Sequence, residues 1–195
     1  MTTTDAQRDI AYIKNIINDS RSIIADNGLG FVFWGVLVSI GLLINYAVLA
    51  NGYALKVQTV WLVIFAIGIA LTVWGIFQDR HNKKVETLAG KFLGAIWIAF
   101  LVTMVINGFL GSMYPALVAS LLGMAYFPTG YATGFAAFRY LAAGWWIAAI
   151  IMFLFPGLYT VVLFAVLMIV FQVLPGILIY RRCKKDVHTA VPITL

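Results

Sequence analysis

Gln172 sits deep in an apolar run, three residues before Pro175. A buried amide without a partner costs about 1–3 kcal/mol, so this one must face other helices. Pro175 has no N–H and frees backbone carbonyls in the turn before it. Amide and carbonyls together suit two roles, an interhelical hydrogen bond that fixes packing or a lining for a bound molecule. Thr72, Thr103 and Asn107 are further polar groups set within apolar runs. None of the four is ionisable, so the chemistry they offer is hydrogen bonding to an uncharged partner.

The segment 127–139 (FPTGYATGFAAFR) adds Tyr131 and the single cation Arg139, with Gly130 and Gly134 four residues apart. An ordinary cytoplasmic loop would be more polar. Either its aromatic residues anchor it at headgroup level, or it dips back into the protein or bends as a helix extension, where protein or water must cover its backbone. Thr103, Asn107, Gln172, Tyr131 and Arg139 are therefore the expected lining of any cavity.

Reactions that need charge find little support. Asp5, Asp9, Asp19, Asp26, Asp79, Glu86 and Asp186 all fall outside the apolar runs. Ionisable groups within a membrane mark proton relays and ion-coupled pathways, and paired acids are needed for general acid–base hydrolysis. Ser39 and Ser120 lie in apolar runs without a histidine there to act as base, and are expected to bond to their own backbone or ease packing. His81 and His188, with Cys183 and Asp79, match no standard metal-ligand spacing. No metal, cofactor or catalytic set is expected, and the reading is non-enzymatic. Cys183 is the one cysteine, so no intrachain disulfide can form. Trp97, Trp145 and Trp146 read as interface anchors or packing residues in preference to a substrate cage.

The elements that must position these residues are apolar helices. Of 195 residues 63% are hydrophobic and 10% charged, against roughly a quarter charged in soluble domains. So few charges cannot keep a surface wet, and most of the chain must face lipid or other helices. The net charge of +6 comes from short cationic clusters beside apolar runs, which argues for a membrane edge and against nucleic acid. The apolar runs predict helices at about 31–49, 57–77, 92–109, 113–126, 140–155 and 159–180, near the roughly 17–25 residues needed to span. The fold class expected is all-α, a six-helix transmembrane bundle (28–182). An amphipathic N-terminal helix precedes it (1–27, with Ile10, Ile13, Ile17 and Ile24 on one face), and a short basic tail follows (183–195). Segment 1–27 has four aspartates and no continuous apolar core, unlike a signal peptide.

Charge bias orients the bundle. With alternating spans, twelve of the thirteen Lys and Arg fall on one side, and Lys56 alone on the other. The positive side is cytoplasmic, so both ends are expected there.

The chain also reads as three hairpins. Lys91 to Trp97 aligns with Arg139 to Trp145 at an offset of 48, Met104 falls on Met152, and Asn107-Gly108 falls beside Pro156-Gly157. Gly28 to Trp34 with Asn45 gives a fainter third copy. This pattern of cation, small residues, Trp and a Pro-Gly or Asn-Gly turn over residues 28–182 resembles the HdeD-type six-helix bacterial membrane proteins. The resemblance implies a bacterial inner-membrane setting in a family associated with acid-stress resistance, and it transfers no catalytic residues. The function expected is binding or passage of a small or lipid-like molecule. The alternative is recruitment of a partner through the cytoplasmic face. Expected partners are membrane lipids, a small-molecule ligand and a second copy of the chain.

Overall fold

The computed structural model describes residues 28–79, 88–110 and 114–189, and every regular element among them is a helix. The amphipathic helix expected near residues 5–25 and the loop 80–87 lie outside the described residues. Six helical rods follow one another. They are α1 (Gly28–Asn51), α2 (Val57–Asp79), α3 (Leu88–Phe109), α4 (Pro115–Thr133), α5 (Ala136–Leu154) and a last rod built of α6 (Tyr159–Met168), a π-helical turn (Ile169–Val173) and α7 (Leu174–Thr189).

Local chemistry sets the ends of these rods. Gly52 takes a left-handed φ of 65° after α1, and the Tyr53 N–H closes the turn on the Val48 carbonyl at 3.2 Å. Pro115 opens α4 at a position where its missing N–H costs nothing, and it holds Tyr114 extended. The segment 127–139 is no loop. α4 runs on through Pro128 to Thr133, Gly134 turns the chain at φ 67°, and α5 starts at Ala136. The hydroxyls of Thr129 and Thr133 donate to the carbonyls of Ala125 and Thr129 at 2.8 Å, which supports the helix past the proline. The Gly134 N–H caps it on the Tyr131 carbonyl at 3.3 Å.

Helix–helix contacts describe a ring with one helix outside it. α1 touches α2 and the whole last rod, α2 touches α3, α3 touches α4, and α4 touches α6. α5 lies outside this ring, against α4 along its length and against the π turn. Small residues allow the closest approaches. A Cβ on Gly28 would stand 3.1 Å from the Gly176 carbonyl oxygen, and one on Gly35 would stand 2.7 Å from a Val173 methyl. The first and last helices therefore close the ring antiparallel, with the Ser39 hydroxyl bonded to the Gly35 carbonyl (2.7 Å) and reaching the Ala165 carbonyl (3.4 Å).

Among the described residues, five helices are long and apolar enough to cross a membrane: Gly28–Asn51, Val57–Gly75, Gly90–Gly108, Ala136–Leu154 and Tyr159–Arg181. Leu43, Ile98, Ile106, Ile147 and Ile150 point outward and are exposed, a surface that lipid suits and water does not. α4 has 19 residues but carries Pro115, Ser120, Pro128, Thr129 and Thr133. It is also well enclosed, with Ala119, Ala125, Tyr126, Thr129 and Thr133 fully buried. Neighbouring helices thus shield its polar groups from lipid.

The turn at Gly134 yields a matched pair of substitutions. Gly134→Ala forces a side chain into the left-handed region and is expected to cost about 1–2 kcal/mol. Gly94→Ala lies in mid-helix with open space around the added carbon, and should be neutral or stabilising by up to about 1 kcal/mol. Thermal unfolding of the purified protein should therefore come at lower temperature for Gly134→Ala and at the same or higher temperature for Gly94→Ala.

Candidate functional site

Between the helices of the ring lies a cavity of about 450 Å³, open on one side where the lining residue Ile98 is exposed, within the size range of small-molecule sites. Its wall is built by α1, α2, α3, α4 and the last rod, and no α5 residue contributes. Aromatic residues at helical spacing supply seven of its lining residues: Phe31 and Trp34 on α1, Trp61 and Phe65 on α2, Trp97 and Phe100 on α3, and Phe164 on α6. Behind Phe31 and Trp97 stand Tyr126 and Phe138, in a four-ring cluster with centroids 5.1–6.0 Å apart, spacings at which tilted and edge-to-face pairs attract. None of the described lining residues is charged.

Gln172 and Thr72 supply the polar side chains on this wall, together with the indoles. The Thr72 hydroxyl is spent on its own helix, bonded to the Gly68 carbonyl at 2.8 Å. Gln172 differs. It is 5% exposed, it belongs to the π turn, and its Oε1 has no hydrogen-bond partner. The local chain explains its placement. Pro175 cannot donate to the Phe171 carbonyl four residues earlier, and the rod answers with a π turn in which the Leu174 N–H reaches back five residues to the Ile169 carbonyl. Such turns recur at functional sites. The Tyr126 hydroxyl on α4 donates to the Phe171 carbonyl at 3.4 Å. The amide beside it is left for something else. Among the described residues three further buried polar atoms lack partners: Asn45 Oδ1, Trp61 Nε1 and Trp145 Nε1. Of their residues only Trp61 lines the cavity.

The structure disperses the rest of the expected lining. Thr103 and Asn107 lie on α3 off the cavity wall, and donate to the carbonyls of Ala99 and Thr103, each at 2.8 Å. Tyr131 and Arg139 meet at the α4–α5 turn, where the guanidinium carbon stands 5.1 Å from the ring centroid, a cation–π pair. α4 lines the cavity only through its first half, at Pro115, Val118 and Leu122, and neither Tyr131 nor Arg139 is on its wall. The Ser120 hydroxyl donates to the Leu117 carbonyl at 2.7 Å on its own helix, and that of Ser39 bonds to its own helix and reaches the last rod. Trp145 is fully buried against Phe164 and Phe171, and the Trp146 indole donates to the Ser120 carbonyl at 3.2 Å. His81 lies outside the described residues.

Sequence reasoning passed over the aromatic wall. Its signal was present as the three- and four-residue spacing of Phe31–Trp34, Trp61–Phe65 and Leu93–Trp97–Phe100–Met104, but such stripes are as common in packed cores. No family model, curated protein or solved structure matches the chain.

Two substitutions separate the roles of the neighbouring polar groups. Tyr126→Phe strips the Phe171 carbonyl of its donor and is expected to lower stability by about 1–3 kcal/mol. Gln172→Leu removes an unsatisfied buried oxygen and should leave the ligand-free protein as stable or more so. Melting temperatures of the purified variants check both signs.

Proposed function

We propose that this chain is a six-span membrane protein with both ends cytoplasmic, and that it binds or passes a small, uncharged or lipid-like molecule in the cavity inside its helix ring. The observation that carries this reading is the unpartnered Gln172 Oε1 on an aromatic, uncharged wall. A group left unsatisfied at the edge of an open cavity is where a ligand gains most, because binding removes a penalty that already exists. Apolar walls with one or two placed polar groups are the usual make-up of small-molecule sites. The absence of ionisable side chains on the described wall favours a passive binding or passage role over ion-coupled pumping.

For the sixth span, α4 has the length to cross, and its two neighbours in sequence run back along it or beside it. Twelve of thirteen cations on one side support the cytoplasmic ends. The hairpin repeat draws support from equivalent burial. Met104 and Met152, 48 residues apart, are both buried, and Trp97 and Trp145 both turn into the protein. The pattern shared with HdeD-type proteins favours a bacterial inner membrane.

Topology is tested with a membrane-impermeant thiol reagent on intact cells. Lys56→Cys in a Cys183→Ser background should label from outside, and Cys183 alone should label only after permeabilisation; the reverse pattern would invert the orientation. Ligand binding is tested by a thermal-shift screen of lipids, small metabolites and ions, with bound material identified by mass spectrometry. A ligand at a hundredfold excess over its Kd stabilises by about 2.7 kcal/mol. That shift should be lost in Gln172→Leu. A screen with no stabilising compound would overturn the binding role and favour recruitment of a partner through the cytoplasmic face.

A further inference from the structure

The turn between α4 and α5 carries a cation without a counter-ion. The chain has no Asp or Glu between residues 87 and 185, and among the described residues no acceptor bonds to the exposed Arg139 guanidinium. One face of that group rests on the Tyr131 ring, 5.1 Å from its centroid. Its stem lies over Gly130, where an added Cβ would stand 2.8 Å from the Arg139 Cγ. The side chain is thus held by its stem and one face, while the donor edges of its planar fork stay open.

A stripe of large apolar side chains leads away from this cation. Tyr131 meets Phe127 at 5.0 Å between centroids, and Phe127 meets Trp146 at 5.5 Å. All three are exposed, so α4 and α5 share one aromatic seam on the outside of the protein. On α5, Arg139, Ala143, Trp146 and Ile150 are exposed at three- and four-residue spacing, which keeps them on one face. That face runs about 16 Å from Arg139 to Ile150, at roughly 1.5 Å per residue. Ala143 puts only a methyl between Arg139 and Trp146, and the seam dips there.

The order of groups matches that of a lipid, with charge at the helix end and hydrocarbon along the span. α5 is apolar enough to cross a membrane, and its first turn then lies at headgroup level under the membrane reading, on which this step rests. An open guanidinium fork fits a phosphate bidentately. A zwitterionic headgroup brings a cation of its own to its phosphate, whereas phosphatidylglycerol does not.

We propose that the α4–α5 seam binds one anionic phospholipid, its phosphate on the Arg139 guanidinium and an acyl chain along Phe127, Trp146 and Ile150. Neither the cavity nor Gln172 takes part.

The test is native mass spectrometry of the full-length protein in neutral detergent, titrated with phosphatidylglycerol or with phosphatidylcholine of the same chains. One phosphatidylglycerol should bind ahead of the rest, and phosphatidylcholine should show no such step. Arg139→Gln should weaken that first step about tenfold or more, the scale of lost charge-assisted hydrogen bonds. Lys184→Gln removes the same charge from the basic tail and should weaken it about fivefold at most, the scale of diffuse attraction per cation. Ala143→Glu offers the guanidinium a carboxylate one turn away. It should abolish the step as well, and it serves if Arg139→Gln fails to fold. Equal losses in Arg139→Gln and Lys184→Gln, or a first step filled equally well by phosphatidylcholine, would overturn the site. So would an undiminished step in Ala143→Glu. Any of these results leaves the spans, tested by thiol labelling, and the cavity, tested by the ligand screen, as they stand.

Discussion

The constraint on which the rest of the structure depends is the missing N–H of Pro175. Within a bilayer no water stands ready to satisfy a carbonyl, so a freed one must find a donor inside the protein. Here the Phe171 carbonyl takes its hydrogen bond from the Tyr126 hydroxyl on α4, and the rod around it opens into a π turn. That bond joins α4 to the last rod across 45 positions of sequence. Around the π turn the same rod meets α1 and α5 as well as its own flanking helices. The proline thus shapes the segment on which the first, fourth and fifth helices converge, and it puts Gln172 on the turn that faces the cavity. A regular helix through residues 169–175 would present different side chains to all three neighbours.

A simple asymmetry separates the hydroxyls and amides on these helices, though not the unpartnered indoles of Trp61 and Trp145. A carbonyl in a helix has a spare lone pair, so a side-chain donor one turn later can bond to it without disturbing the ladder. Ser39, Thr72, Thr103, Thr129, Thr133 and even the amide nitrogen of Asn107 do so. A side-chain acceptor has no such recourse, because interior N–H groups are already committed. The two orphaned acceptors, Asn45 Oδ1 and Gln172 Oε1, are both amide oxygens in helix interiors. Asn45 is not on the cavity wall. Gln172 is.

How much of this was legible in the sequence depends on the range of the interaction. Helix ends governed by local chemistry were readable: Asn51-Gly52 stops α1, and Pro156-Gly157 separates α5 from the last rod. Segment 127–139 misled because Pro128 and two glycines look like loop punctuation. In the fold, threonine hydroxyls and burial against α5 carry the helix to Thr133, and only Gly134 and Phe135 turn. Gln172 and Pro175 could be singled out because an amide beside a proline in an apolar run is conspicuous on its own. The donor that Pro175 requires could not be found, because nothing in the sequence links Tyr126 to Phe171. Nor could the cavity wall, since seven aromatic residues on four helices become one surface only when those helices are arranged. The three-hairpin pattern predicts that α5 pairs with the last helix. Instead the close packing of α5 is on α4, where Gly123 receives the Trp146 indole and Gly130 lies against Phe138 and Arg139.

The choice of aromatic residues for the wall bears on why a cavity exists at all. Flexible aliphatic side chains repack into nearby space, whereas rings have few rotamers and hold one another in place through tilted and edge-to-face contacts. Phe31, Trp97, Tyr126 and Phe138 form such a scaffold at one end, and Trp61 packs against Phe65 further along α2. In water an apolar cavity of this size would favour collapse. In a bilayer the driving force is much weaker, because lipid tails are as apolar as the wall. By the same reasoning a hydrocarbon chain gains little by leaving the bilayer for the cavity. Its fit along the rings sets which shapes can enter, but the free energy that distinguishes one occupant from bulk lipid must come from polar contacts, and Gln172 and Trp61 are the wall residues with an unpartnered polar atom. Selectivity in such a site resides in its few hydrogen-bonding groups, and the aromatic wall serves to hold the space open beside them.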